Sequence, residues 1–237
     1  RNMYMADPDF VDTPGTALLN PDYIAKRQRL IDYDAQTYEA GDLSDIFASQ
    51  PNQPEEGTTH IVAIDKYGNA ISMTSTIESA FGSKIMTGGF LLNNEITDFS
   101  FVPVKNGKTV ANAIEPGKRP RSSMAPTIVF DRDGNPLLLI GSAGGSRIIG
   151  YVLHRLIAIL DWNMDVDAAL AMPNILDRGN GLESEVELSE ILHKKGHDIH
   201  IRDLTSGLTA IYVRPDEERQ HYYGAADPRR EGLGMGR

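Results

Sequence analysis

At Gly57-Thr58-Thr59-His60-Ile61-Val62-Ala63-Ile64-Asp65 a polar linker gives way to a strand. Residues 41–57 are rich in Asp, Glu, Ser, Gln, Gly and Pro and carry no apolar periodicity, so they read as an exposed loop of the kind where chains are cut. Residues 59–65 read as a buried strand closed by Lys66-Tyr67-Gly68-Asn69, and a second strand is expected over 70–76. A Thr hydroxyl is a poor nucleophile by itself, but a Thr at a free N-terminus carries its own base in the α-amine. That amine, with an ordinary pKa of about 7.7–8.0, suits general-base work near neutral pH. Gly57 leaves its carbonyl open to the Thr58 hydroxyl, which would be the first step of self-cleavage. Taken alone, the same triplet reads first as an ordinary strand start.

Composition narrows the field. With 237 residues, 41% of them apolar, the chain suits one substantial domain with a real core. A net charge of −10 and the lack of a long Lys/Arg run argue against nucleic acid or an anionic membrane as a partner. No run of 18 apolar residues argues for a membrane span. Without cysteine there is no disulfide or thiolate chemistry, which leaves the compartment open. The chain starts at Arg1, without Met or a leader pattern, and is expected to be a piece of a longer precursor.

Residues 1–18 look irregular. A helix is expected over 21–35, with Asn20 as N-cap and Pro21 at its first position, and with Ile24, Leu30 and Ile31 roughly on one face. The segment 77–126 is loop-rich, with short extended pieces such as 88–92. Residues 127–131 and 136–140 flank Asp133-Gly134-Asn135 and form a hairpin. Gly144-Gly145 then opens a helix, 148–160, that is apolar nearly all round and therefore buried. A short helix from about 165 stops at Pro173. Residues 182–188 look extended, a helix runs to Gly196 as C-cap, and strands near 199–203, 208–213 and 220–225 finish the chain. Hairpins mixed with buried helices suit an α+β layered fold better than an alternating parallel one.

Several groups invite chemistry on their own account. Gly144 and Gly145, between an apolar strand and a helix, let backbone N–H groups approach a ligand closely. They lack the Gly-Lys-Ser/Thr ending of a P-loop, and a ligand-free tight turn stays open as a reading. Asn94 to Asp98 read as an acidic solvated turn and Ser122-Ser123 as a polar loop. His193, His197 and His200 have metal-like spacing, but Gly196 breaks the helix between them and no acidic or Cys ligands surround them, so no metal is expected. His60 reads as a structural hydrogen-bonding residue, not a base. No Gly-x-Ser-x-Gly elbow is present.

The order of motifs is more specific than any one of them. Thr58-Thr59-His60, Gly68-Asn69-Ala70-Ile71-Ser72, Thr74-Ser75-Thr76, Phe81-Gly82-Ser83 and Gly89-Phe90-Leu91-Leu92-Asn93-Asn94-Glu95 come first. Asp98-Phe99-Ser100, Gly117-Lys118-Arg119-Pro120, Ser122-Ser123-Met124-Ala125-Pro126-Thr127 and Gly141-Ser142-Ala143-Gly144-Gly145-Ser146-Arg147 follow. Together they resemble the small catalytic subunit of the γ-glutamyltransferase (γ-glutamyl transpeptidase) family, N-terminal-nucleophile hydrolases. The resemblance runs from Thr58 to about Asp227-Pro228-Arg229, and Ala6-Asp7-Pro8-Asp9-Phe10 resembles the end of that family's large subunit.

The resemblance implies the four-layer αββα sandwich, here partial. Residues 1–57 would be the end of the large subunit with its processing loop, and residues 58–237 the catalytic subunit. It further implies self-cleavage at Gly57–Thr58 and transfer of a γ-glutamyl group, from glutathione or a similar donor, to an amino acid, a peptide or water. No cofactor is implied, and the partner is the remainder of the large subunit. A periplasmic or secreted location would follow if the protein is like bacterial relatives. By position, Thr58 becomes the nucleophile and Thr76 its hydroxyl partner. Gly144 and Gly145 form the oxyanion hole. Asp98 and Glu95 pair with the donor's α-ammonium, and Ser122 and Ser123 bind its α-carboxylate. The family's carboxylate-clamping Arg belongs to a part of the large subunit that this chain does not include.

Two departures stand out. Glu78 replaces an Asn common in relatives and must turn from the substrate carboxylate or contact the ammonium. The stretch between Ser100 and Lys118 is short for a Tyr-bearing lid, which suggests an open site. Two rival readings remain: a related acylase that removes glutaryl-type side chains from β-lactam compounds, whose substrate has no α-ammonium for Asp98, and an unprocessed, inactive fragment.

Overall fold

A computed structural model describes the chain except at residues 42, 44–47, 49–56, 216–219 and 237. Most of the loop expected over 41–57 therefore lies outside the described residues. Strand β1 (Thr58–Ile64) pairs antiparallel with β2 (Ala70–Thr76). Asp65 shapes the turn between them by accepting the backbone N–H groups of Tyr67 (2.8 Å) and Asn69 (2.9 Å).

A second sheet has the order β9–β8–β4–β3, made of β3 (Thr127–Phe130), β4 (Pro136–Gly141), β8 (Thr209–Pro215) and β9 (Gln220–Ala226). All its pairings are antiparallel. Leu138, Leu139 and Ile140 of central β4 are fully buried, as suits a strand covered on both faces. Helices α2 (Ile148–Leu160) and α3 (Val166–Ala171) lie on one side, where Ile148, Tyr151, Val152, Ala158 and Ile159 join Ala169 and Leu170 in one core with Leu138 and Ile140. The β1–β2 hairpin packs on the other side. The layers observed are thus α, β and β, an α+β arrangement.

A smaller sheet joins β5 (Ile175–Asp177), β6 (Leu182–Ser184) and β7 (Ile199–Ile201), with β6 in the centre, antiparallel to β5 and parallel to β7. The expected strand over 182–188 stops at Ser184 because its hydroxyl turns the chain, donating to Val186 O (2.7 Å) and accepting from Val186 N (3.2 Å). Helix α4 (Glu190–Lys194) ends before Gly196, whose φ of 83° suits its terminating role.

Helix α1 is shorter than the expected 21–35 span. It covers Pro21–Gln28, capped by Asn20, whose side chain accepts from Asp22 N and Tyr23 N. Beyond it the Ala35 amide donates to Lys195 O at 2.7 Å, so the chain leaves the helix to pair with the end of α4. Ile24, Leu30 and Ile31 remain exposed, so among the described residues no packed face extends the helix. The N-terminal segment is fixed to the rest of the chain by Asp7, which is buried and takes a forked bond from Arg119 (Nη2 at 2.7 Å, Nε at 3.0 Å). That ion pair holds the Asp7 carboxyl well below the usual carboxylate range.

The β1–β2 hairpin carries polar and apolar side chains on both faces. Its polar side chains His60, Ser72 and Thr74 face the second sheet, while Ile61, Ile71 and Met73 face outward and are 53%, 49% and 41% exposed. His60 links the two sheets. Its Nδ1 lies 2.8 Å from Thr74 Oγ1 and its Nε2 3.2 Å from Ser72 Oγ, while Ser72 Oγ donates to Ile140 O at 3.2 Å. The imidazole fills the space above Gly141, where an added Cβ would lie 2.2 Å from the ring. Gly141→Ala should therefore cost at least the roughly 1–3 kcal/mol of core overpacking and lower the unfolding temperature seen by circular dichroism. An unchanged transition would contradict the pillar role of His60.

Candidate active site

The register of the hairpin sets Thr58 directly opposite Thr76, and their hydroxyl oxygens are 3.4 Å apart. Thr76 Oγ1 also accepts from the Glu78 amide at 2.9 Å, bending the chain as it leaves β2. Glu78 has a left-handed backbone with φ 70°, uncommon for a residue with a side chain. Its carboxylate is held by Ser79 Oγ at 2.7 Å and by a short contact from Asn94 Nδ2.

Gly57 is demanded twice over. Its φ is 89°, and a Cβ there would lie 2.3 Å from Glu78 O and 2.7 Å from the Ser79 carbonyl. The residue before Thr58 is thus pressed against the chain that follows Thr76.

A cavity of about 20 Å³ opens beside the two threonines, lined by Thr58, Thr76, Glu78, Asp98, Ser122, Ser123, Met124, Gly145 and Ile148. That is on the order of one water molecule. Seven of the nine positions singled out from the sequence (Thr58, Thr76, Glu78, Asp98, Ser122, Ser123 and Gly145) are on its wall. Gly144 lies one residue away, with φ 127° and a buried ring against it: a Cβ would meet Tyr151 Cε2 at 2.6 Å. Glu95 is absent from the wall but hydrogen-bonds Asp98, which is on it. Both acids belong to one 3₁₀ turn, Glu95–Asp98, packed next to Asn94. Burial pushes the Glu95 carboxyl up, and the nearby Glu78 charge adds to this, while the interaction with Asp98 opposes it.

Two polar atoms here are buried and, among the described residues, lack a hydrogen-bond partner: Glu95 Oε1 and Ser123 Oγ. Buried polar atoms are nearly always paired, so these two are open to a further hydrogen-bond partner. One is an acceptor of negative character and the other a hydroxyl donor. Ser122 Oγ already accepts from Met124 N at 3.1 Å.

Some neighbours carried no local signal in the sequence. Arg230 donates to Thr58 O at 3.2 Å and to Thr205 O at 3.1 Å, and it lines a second cavity of about 320 Å³ on another side of Thr58, with His60, Gly207 and Asp227. Only the adjacent Asp227-Pro228-Arg229 motif pointed to that part of the chain. Asn94, which holds Glu78, lay inside a quoted motif without an assigned role. The short stretch after Ser100 is a tight hairpin, Val104–Lys105 with Lys108–Thr109, turning through Asn106 and Gly107 with positive φ. His193 is exposed, and His200 Nε2 lies 3.1 Å from Asp198. Among the described residues no three His, Asp or Glu side chains are grouped to hold a metal.

Comparison with known proteins gives a consistent result. The family model described as Gamma-glutamyltranspeptidase matches residues 1–236. The glutathione hydrolase proenzyme of Bacillus subtilis (strain 168) is 37% identical over an alignment of 256 positions that covers 100% of this chain and 42% of that protein. That of Escherichia coli (strain K12) is 37% identical over an alignment of 246 positions that covers 97% of this chain and 40% of the relative. The chain thus spans about two fifths of the length of these relatives. An acivicin-inhibited gamma-glutamyltranspeptidase superposes with a TM-score of 0.67 at 38% identity, over 73% of this chain and 100% of that one. A cephalosporin acylase from Bacillus halodurans has a TM-score of 0.80 at 22% identity, over 99% of this chain and 42% of that one, which speaks to the fold alone.

Burial holds His60 neutral, pushing its pKa down to about 4. An unfolded His titrates near 6.5, so the native contribution is complete above that pH and is lost as pH falls from about 6.5 towards 4. His60→Gln, which keeps hydrogen-bonding capacity but cannot titrate, should flatten the pH dependence of stability across that window. Denaturant titrations at pH 7 and pH 4.5 measure it, and an undiminished slope in the variant would contradict the assignment.

Proposed function

The chain belongs to the γ-glutamyltranspeptidase family, and from that membership we propose that it carries γ-glutamyl transfer and hydrolysis with Thr58 as nucleophile. The observation that carries the proposal is the pairing of the Thr58–Thr76 hydroxyls beside a cavity whose wall holds Asp98 and the unsatisfied Ser123 hydroxyl, with an unsatisfied Glu95 carboxylate oxygen in the same turn as Asp98. A γ-glutamyl donor has an α-ammonium, which a carboxylate oxygen attracts, and an α-carboxylate, to which a serine hydroxyl can donate.

The reading has two stages. In the first, Thr58 Oγ1 attacks the Gly57 carbonyl, the Thr58 nitrogen leaves with a proton, and water hydrolyses the resulting ester. Residues 1–57 then end one polypeptide and Thr58 begins another. In the second stage the freed α-amine of Thr58 takes the hydroxyl proton as Oγ1 adds to the donor's γ-carbonyl carbon. The oxygen of that carbonyl becomes an oxyanion facing backbone N–H groups of the Gly144–Gly145 turn. Collapse expels the donor's amine, which takes the proton, and leaves a γ-glutamyl ester on Thr58. An amino-acid or peptide amine, or water, attacks the ester and releases the γ-glutamyl group. Thr76 orients the nucleophile, Asp98 with Glu95 receives the ammonium, and Ser122 and Ser123 receive the carboxylate. Glu78, tied by Ser79 and Asn94, adds negative charge on the ammonium side. Glutathione is the donor suggested by the names of the relatives.

The outward apolar side chains Ile61, Ile71 and Met73 fit a further layer supplied by the remainder of the protein, which would complete the αββα sandwich. Exposed apolar surface of this kind calls for a cover.

Thr58→Ala should abolish both cleavage at residue 57 and turnover of a γ-glutamyl anilide, since one hydroxyl serves both, while Thr58→Ser should retain part of each. Gel electrophoresis and an anilide assay read the two outcomes, and a Thr58→Ala protein still cut at that bond would rule out self-processing. Asp98→Asn should reduce kcat/KM for the γ-glutamyl anilide at least roughly thirtyfold, from the ~2–5 kcal/mol lost with a buried charge partner. A glutaryl anilide, which has no ammonium, should be affected far less. Equal losses would remove Asp98 from ammonium recognition and favour the acylase reading.

A further inference from the structure

The Gly144–Gly145 turn has no side chains of its own with which to hold its shape. Its φ values, 127° and 58°, are open to glycine, but glycine also has the most alternatives to lose. Within the turn, Arg147 N donates to Gly144 O at 3.2 Å. Donors that stabilise a developing oxyanion work through fixed placement, so the source of rigidity bears on the chemistry.

The support comes from the small sheet. Arg147, at the end of the turn Gly145–Arg147, makes a forked bond to Glu183 on β6, with Nε at 2.9 Å and Nη2 at 2.8 Å. Arg178, just beyond β5, reaches the same carboxylate (Nε and Nη2, both 3.3 Å) and donates from Nη1 to Ser146 Oγ at 2.9 Å. A third guanidinium, Arg202 after β7, stands 3.6 Å away. Glu183 is thus a hub that ties two successive residues of the turn, Ser146 and Arg147, to a sheet that contributes no residue to the cavity wall. The Glu183 side chain is only 8% exposed. Bonding by Arg147, with Arg178 beside it, holds its carboxyl down to about 2, so it stays an anion throughout the working pH range. Three guanidiniums on one carboxylate also leave a surplus of positive charge beside the turn. From beneath, the Tyr151 ring closes against Gly144.

We infer that Glu183 is a positioning residue for acyl transfer, holding the Gly144–Gly145 turn through Arg147 and Arg178 so that its N–H groups face the oxyanion. The inference rests on the γ-glutamyl-transfer reading of the same site.

Glu183→Gln removes the charge while keeping the volume, and Ser146→Ala removes only the outer strut. In the processed protein, with rates normalised to the fraction bearing a Thr58 N-terminus, Glu183→Gln should lower kcat for a γ-glutamyl anilide about tenfold. KM should stay within about twofold. A tenfold effect is smaller than the roughly 10²–10³ lost with an oxyanion donor itself and similar to the loss of an outer-shell support. The decisive readout compares two ligands. A γ-boronic acid analogue of glutamate forms a tetrahedral adduct with the Thr58 hydroxyl and should bind about tenfold more weakly to the variant, whereas glutamate itself should bind as it does to the wild type. A role in stability alone would lower the unfolding temperature without separating the two ligands. Ser146→Ala should show the same separation to a smaller degree, and it stands in if Glu183→Gln does not fold. Variants that lose both ligands equally, or neither, overturn the positioning role. A wild-type protein that binds neither ligand overturns the γ-glutamyl reading first, and this inference with it.

Discussion

The antiparallel register of β1 on β2 is the constraint from which the candidate site follows. Seven residue pairs, from Thr58↔Thr76 to Ile64↔Ala70, are in step, and a slip of one residue would turn every side chain to the opposite face. Thr58 would then point outward, away from the cavity, and Ile61 of the same strand would turn inward. The register is secured at one end by the Asp65 turn and in the middle by His60, whose ring has room only because residue 141 is glycine. The polar side chains on the inner face of the hairpin are therefore not a packing defect. They join the sheets by hydrogen bonds and leave their last pair, two hydroxyls, at the edge where Gly57 presses on Glu78 and Ser79.

Around that pair the charges are sorted. Glu78, Glu95 and Asp98 gather on strand-exit and 3₁₀-turn backbone, with Ser122 and Ser123 on the loop leading to β3. The Gly144–Gly145 turn comes from the end of β4, braced by arginines that all share Glu183. Each group is carried by a different part of the chain, and β4 with α2 behind it serves as the common platform. This distribution suits acyl transfer, in which nucleophile, charge recognition and oxyanion stabilisation must be set independently and held without reorganisation.

Much of this was legible in the sequence, and for identifiable reasons. The strands expected over 59–65 and 70–76, the Asp133-Gly134-Asn135 turn and the helix over 148–160, apolar nearly all round, are local signals that tertiary structure reinforced. The site residues came mostly from the order of motifs, since no local rule ties Asp98 to Thr58. The helix expected over 21–35 overruns α1 because Leu30 and Ile31 fit a helical face that stays exposed. Contacts between distant residues left no trace in local pattern: Arg230 reaches Thr58 across 172 positions, and Arg147 meets Glu183 across 36. Glu183 reads from sequence as an ordinary acidic strand residue, and only the fold brings three arginines to it.

The most direct test of the account is covalent. Incubating the purified protein with a slow γ-glutamyl donor, quenching in acid and mapping peptides by mass spectrometry reports both the new N-terminus and the acylated atom. The account predicts a peptide that begins at Thr58 and carries the added mass of one γ-glutamyl group on that residue. A γ-glutamyl group on any other side chain, or a turnover-competent protein whose chain runs unbroken through Gly57–Thr58, would contradict it.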